Sequence, residues 1–235
     1  FDINLGCSGY VYGLSIVASL LEKVKGKALL LVGDASSQCV NPRDKSSAPL
    51  FSDAGSASAL QYDDNAETIY FNLQTDGSGF DAIITPDGGT RSPINETSFV
   101  LNKETGRSPA DMFLDGIKVF NFSRREVVPN ALQLFEEYKI EKESIDYFVF
   151  HQANKLMNDT LVKKLALDEN KVPSSLKKFG NTGSASIPLT LALALAETKL
   201  IGRKRLFLSG FGVGLSWGSC VLSTENCKIL PLIDL

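Results

Sequence analysis

Three side chains stand where the chain could put them to chemical use: Cys7, His151 and Asn181. Cys7 lies in "LGCSGY", a Gly-flanked turn between the apolar lead Phe1-Asp2-Ile3 and a stretch of helical spacing. A Cys at a strand-to-helix turn sits at a helix N-terminus, where unpaired N–H groups and the macrodipole favour its thiolate. The position therefore predicts a lowered pKa and the most reactive of the four thiols. The same place also suits a small packed side chain. His151 is the only His, so any imidazole chemistry of this chain must use it. A lone His is often structural, but this one closes the apolar strand "IDYFVF", at the sheet end where α/β proteins place their sites. Asn181, in "GNTGSASIP", reads by itself as a turn or N-cap residue.

Hydrophobic periodicity supplies the elements that must hold these groups. "YVYGLSIVASLLEKVK" has the spacing of a helix that ends near Gly26. "KALLLVGD" reads as a near-continuous apolar strand of the kind found inside a parallel sheet. "SAPLFSDAGSASALQY" reads as β structure rich in small residues, and Gly77 to Thr97 as a long irregular connection. A helical segment is expected from Ala110 to Lys139, broken before Pro129. "NKLMNDTLVKKLAL" is an amphipathic helix, "GNTGSASIPLTLALALAETKL" a glycine turn running into a helix, and "KRLFLSGFGVGLSWGSCVLS" two closing strands. Alternating strands and helices give an α/β fold. A faint repeat runs through it: "GCSGYVYGLSIVASL" and "GNTGSASIPLTLALA" are each followed by a basic-flanked strand, "KALLLVG" and "KRLFLSG". Duplication would place Cys7 and Asn181 at matching helix N-termini.

Composition narrows the function classes. The chain has 235 residues, 43% of them hydrophobic and 22% charged, enough for a real core in one large or two small domains. A net charge of −3 offers no general basic field for nucleic acid or an anionic membrane. The longest apolar run of the back half, "LTLALALA", is too short to span a bilayer, and no signal peptide is expected. Cys7, Cys39, Cys220 and Cys227 form no CxxC pair, and with a single His no zinc pattern can be assembled, so no metal is expected. Reduced cytoplasmic thiols fit a chain of this size.

Taken in order, "FDINLGCSGYVYGL", "HQAN", "FGNTGSASIP" and "GFGVGLSWGS" resemble the β-ketoacyl-[acyl carrier protein] synthase III family of the thiolase fold. The resemblance runs along nearly the whole chain. It implies two pseudo-symmetric βαβαβαββ halves stacked as α-β-α-β-α layers, residues 1–105 belonging to the first half and 106–235 to the second. It also implies that the family's first hundred or so residues precede Phe1, leaving the first half incomplete, and that the complete enzyme is a homodimer. Cys7 would carry the acyl group, with His151 and Asn181 binding the thioester carbonyl of the malonyl substrate. Phe211, Gly212, Val213, Leu215 and Lys45 would contact substrate, and Lys155 and Leu156 would lie where the carrier protein docks. Acyl-CoA and acyl-carrier phosphopantetheine thioesters are then substrates, and no cofactor is expected.

The chemistry fits. A thiolate exchanges an acyl group with a thioester at little cost. Decarboxylation of a malonyl thioester leaves an enolate, which the His151 Nε2–H and the Asn181 amide could stabilise; N–H groups at Cys7 and near Val213 would serve the acyl carbonyl. Relatives that elongate long acyl chains use two His after the nucleophile, and this chain has one. It departs from the family in several places. "SDAGSA" (52–57) replaces a glycine-rich motif, and Val213 stands where glycine is frequent. Leu156 replaces an Arg beside Lys155, and Lys45 stands where some members hold coenzyme A with Arg. These differences leave open whether the primer serves fatty acid initiation or a specialised acyl or polyketide pathway. A papain-like Cys-His-Asn hydrolase and a non-catalytic partner subunit are the rivals from other classes. The duplicated α/β pattern opposes the first, and retention of Cys7 the second.

Overall fold

The computed structural model describes residues 1–195, 202–225 and 227–233. Helix α1 (Gly9–Val24) ends where Lys25 turns left-handed (φ 53°) and donates its N–H to the Leu21 carbonyl. Strands β1 (Lys27–Asp34) and β2 (Ala54–Gln61) pair antiparallel from Lys27 opposite Gln61 to Asp34 opposite Ala54. Among the described residues β1 pairs with β2 alone, so the parallel neighbour that its composition predicts is not among them. Its outward Leu29 and Leu31 are 60% and 67% exposed, while Leu30 is buried against α1.

Strand β3 (Tyr70–Thr75) precedes the expected boundary at residue 105, yet it is hydrogen-bonded to a strand near the C-terminus. The connection after it is not wholly irregular: β4 (Ile83–Ile84) and β5 (Phe113–Leu114) form a short antiparallel ladder. The expected helix over 110–139 begins only at α2 (Gly116–Phe122), and its regular winding is interrupted before Pro129, as expected. A π-helical turn (Ser123–Val127) joins α2 to α3 (Val128–Glu137). Pro129 comes just after that π-helical turn, at the point where the helical ladder is already widened and its missing N–H and ring are accommodated. Strand β6 (Tyr147–Phe150), helix α4 (Lys155–Lys164), the single turn α5 (Leu176–Phe179) and helix α6 (Ser186–Leu195) follow. The end of the segment predicted to form this last helix, residues 196–201, lies outside the described residues. Strands β7 (Lys204–Gly212) and β8 (Ser216–Thr224) close the fold.

The main sheet has the order β3-β8-β7-β6, with β6 and β7 parallel and the other pairs antiparallel. One face packs on α3 and α4 through Leu134, Phe135, Phe148, Phe150, Phe207 and Leu161. The opposite face packs on α1 and α6 through Val11, Leu14, Val149, Leu208 and Ile187. Each such side chain, fully buried, contributes about 1.5–3 kcal/mol of transfer free energy. Helices α1 and α6 in turn lie against β1 and β2, giving the layers α, β, α, β. The N-terminal ends of α1 and α6 and the C-terminal ends of β6 and β7 meet in one place, and the chemically equipped residues are there.

Candidate active site

A cavity of about 450 Å³ is lined by Cys7, His151 and Asn181 together. Each arrives on a different element. Cys7 lies two residues before α1, His151 directly follows β6, and Asn181 begins the turn that leads into α6. Phe211, Gly212 and Val213 at the end of β7 complete the wall behind the sulfur. Gly212 must be glycine for space as well as conformation. It has φ +157°, and a Cβ there would stand 2.7 Å from the Cys7 Sγ.

Asn181 is clamped by backbone bonds to the strand-like segment beside it. Its N–H donates to the Leu50 carbonyl (2.9 Å), and its carbonyl accepts the Ser52 N–H (2.9 Å). Its Oδ1 accepts the Gly183 N–H at 3.0 Å, which turns its NH2 into the available donor. Gly183 (φ +57°) makes the turn possible: a Cβ there would collide with Asp34, whose carboxylate accepts the Ser184 N–H (2.6 Å) and hydroxyl (2.7 Å). Asp34, the last residue of β1, thus ties the first half of the chain to the Asn181 turn.

His151 is 1% exposed. Its N–H donates to the Ser209 carbonyl (2.7 Å), its Nδ1 is 2.8 Å from the Ser186 Oγ, and its ring meets Phe211 edge-on at 5.5 Å between centroids. Burial lowers its pKa to about 4, against a smaller upward pull from the Gly183 backbone carbonyl. The imidazole is therefore neutral at pH 7, a hydrogen-bonding group and not a cation.

The thiol corrects a sequence expectation. Its pKa is pushed up, not down, because burial outweighs the turn's dipoles. The N–H of Val213 opposes that rise, the Asp34 carboxylate adds to it, and the N–H of Cys7 itself also opposes it. Those two N–H groups are the ones expected to face the acyl carbonyl, and they are directed at the sulfur. Burial also raises the Cys220 and Cys227 thiols, while Cys39 is exposed.

Two of the expected substrate contacts lie elsewhere. Leu215 pairs through its backbone with Asp76 (2.9 and 3.0 Å), which carries its side chain into the core against Gly79, away from the cavity. Lys45 is exposed, although its neighbour Ser46 lines the cavity. Lys155 and Leu156 are exposed at the start of α4, between Asn154 and Met157, which line the cavity. Sequence reasoning missed the opposite wall: Ile83, Ile84, Met112, Leu114 and Val119. Among the described residues, no three His, Cys, Asp or Glu side chains gather as a metal site, and no helix is long and apolar enough to cross a membrane.

A Cys, a neutral His and an Asn converge here from the ends of α/β units, in the layered arrangement of the thiolase fold. Two family models match the chain. Residues 1–77 match 3-oxoacyl-[acyl-carrier-protein (ACP)] synthase III, and residues 135–224 match its C-terminal domain. A putative 3-oxoacyl-[acyl-carrier-protein] synthase 3 of Campylobacter jejuni is 34% identical over 96% of this chain and 64% of its own length. The crystal structure of a 3-oxoacyl-(acyl-carrier protein) synthase from Burkholderia xenovorans LB400 superposes with a TM-score of 0.90 at 35% identity, covering 98% of this chain and 65% of that one. The priming β-ketosynthase of the R1128 polyketide biosynthetic pathway superposes with a TM-score of 0.80 at 27% identity, over 96% and 65%. The chain belongs to the 3-oxoacyl-[acyl-carrier-protein] synthase III family. It spans about two thirds of the length of the relatives it matches.

Proposed function

We propose that this chain carries the reaction centre of a decarboxylating condensing acyltransferase. The observation that carries the reading is the single cavity shared by Cys7, a neutral His151 and the outward amide of Asn181. Cys7 attacks an acyl thioester carbonyl, the bond to the departing sulfur breaks, and the thiol proton leaves with that sulfur. The N–H groups of Val213 and Cys7 hold the oxyanion between these steps. A malonyl thioester then binds with its carbonyl oxygen between His151 and Asn181. Loss of CO2 leaves an enolate, and two neutral donors stabilise it without first holding a competing charge. The enolate carbon attacks acyl-Cys7, the C–S bond breaks, and the sulfur departs as a thiolate that takes a proton from solvent, giving a β-ketoacyl thioester.

A neutral imidazole argues against the papain-like reading, which needs a thiolate–imidazolium pair. Acyl-CoA as primer donor, malonyl-[acyl carrier protein] as extender, a homodimeric cytoplasmic enzyme and a role in initiating fatty acid synthesis belong to this same proposal. Priming of a specialised pathway is the second reading, favoured by the likeness to the polyketide priming enzyme and by Lys45 lying outside the cavity. The test separates the half-reactions. His151→Ala and Asn181→Ala should each slow malonyl decarboxylation about a hundredfold, roughly 3 kcal/mol, while acyl transfer to Cys7 falls much less. Equal loss of both would point to a Cys–His pair and overturn the reading.

A further inference from the structure

His151 can donate to a substrate oxygen only if its one proton sits on the nitrogen that faces the cavity. Its Nδ1 is 2.8 Å from the buried Ser186 Oγ, which leaves Nε2 as the nitrogen free to serve the cavity that His151 lines. A hydroxyl has one proton and two lone pairs, so what Ser186 gives to Nδ1 depends on its other partners. The backbone N–H of Gln152 donates to the same Oγ at 3.3 Å. We infer that Ser186 is a positioning residue that donates its proton to Nδ1, fixing His151 as the Nε2–H tautomer and so making it a donor toward the malonyl oxygen. The inference rests on the proposed role of His151 and adds the group that sets it.

The surroundings support a fixed orientation. Ser186 is fully buried at the start of α6, and its carbonyl accepts the Thr190 hydroxyl at 2.7 Å. The Thr190 hydroxyl also meets that of Ser175 at 2.9 Å. The Ser175 N–H donates to Gln152 Oε1 at 3.1 Å, and Gln152 Nε2 donates to the Phe150 carbonyl at 2.7 Å. Gln152, Thr190 and Ser175 are each 1–2% exposed. A buried polar chain of this kind is costly unless its members are satisfied, and satisfied it holds its hydroxyls in place. The competing arrangement is equally specific. If the Ser186 proton turned elsewhere, Nδ1–H could donate to the Ser186 oxygen, and the cavity would face a bare acceptor. That nitrogen would repel an enolate.

The chain has a single His, so this chain labelled with 15N-histidine yields one imidazole spectrum. At pH 7.5 the two-bond 1H–15N spectrum should show a pyridine-type Nδ1 and a protonated Nε2. The reverse pattern overturns the inference, whatever the enzyme's activity. In Ser186→Ala the proton should redistribute toward Nδ1, with decarboxylation of a malonyl thioester falling about tenfold or more and acyl transfer to Cys7 retained. Ser186→Thr, which keeps the hydroxyl, should restore both signals. An unchanged Nε2–H spectrum in Ser186→Ala refutes the role of Ser186. A shifted tautomer with unchanged decarboxylation leaves that role standing and refutes the donor role of His151. Should Ser186→Ala fail to fold, the wild-type and Ser186→Thr spectra still decide the tautomer.

Discussion

Burying a neutral His151 makes the stability of the protein depend on pH in a window where few other groups titrate. The ring's pKa falls from 6.5 to about 4 on folding. Because the folded value is depressed, the unfolded state takes up the proton first as pH falls. Stability is fully present above pH 6.5 and is lost as pH drops toward 4. A shift of about 2.5 units corresponds to roughly 3 kcal/mol in total, of which about 2 kcal/mol is already lost at pH 5 relative to pH 8. Against the upward push of desolvation, hydrogen bonds from Ser46, Ser47 and Arg107 hold the Asp44 carboxyl below 3.8, and bonds from Ser108 and Asn41 do the same for Asp111, so their losses come at lower pH. The assay is urea unfolding at pH 8, 7, 6 and 5 on the wild-type protein and on His151→Asn. The wild type should lose about 2 kcal/mol over that range, and the variant, less stable throughout, should show a flatter profile. A wild-type curve that is level to pH 5, or an identical slope in the variant, would refute the reasoning.

Gly212→Ala puts a methyl group 2.7 Å from the Cys7 sulfur, and displacing that sulfur should cut acyl transfer about a hundredfold in a thioester-exchange assay. Because burial raises the Cys7 thiol, transfer to it should rise about tenfold per pH unit below its pKa, measured as the rate of thiol release from acyl-CoA between pH 6.5 and 8.5. Lys155, exposed and paired with Asp159 at 2.5 Å, sits at the cavity's rim. Lys155→Glu should raise the KM for a malonyl-carrier substrate at low salt and leave self-acylation from a small acyl-CoA nearly unchanged.

Local features of the sequence carried the elements and the three central residues. α1, β1, β7 and β8 follow from apolar periodicity bounded by Gly and charge, and Cys7, His151 and Asn181 sit at turns that such elements imply. What was not legible depends on contacts between distant segments. β1 is apolar enough for a parallel sheet, but its pairing with β2 is a tertiary choice. The wall formed by Ile83, Met112 and Leu114 comes from a segment rich in turn residues. The Met112 N–H donates to the Cys39 carbonyl, and Arg107 pairs with Asp44, bonds that no periodicity reveals. Helix position foretold a lowered Cys7 pKa; burial, which decides the sign, is a property of the folded cavity. Leu215 and Val213, two residues apart, point to core and cavity because the chain reverses between β7 and β8. Ser186 lay inside a motif read for its Asn, and only the fold shows its hydroxyl on the imidazole.

The central claim is that Cys7 is the residue that takes up an acyl group. Incubation with a panel of short-chain acyl-CoA thioesters, followed by intact-mass analysis and peptide mapping, tests it directly. The account predicts one added acyl group per chain with at least one donor, mapped to the peptide bearing Cys7 and absent in Cys7→Ala. Acylation on Cys39 or Cys227 with Cys7 unmodified, or undiminished uptake in Cys7→Ala, would contradict it.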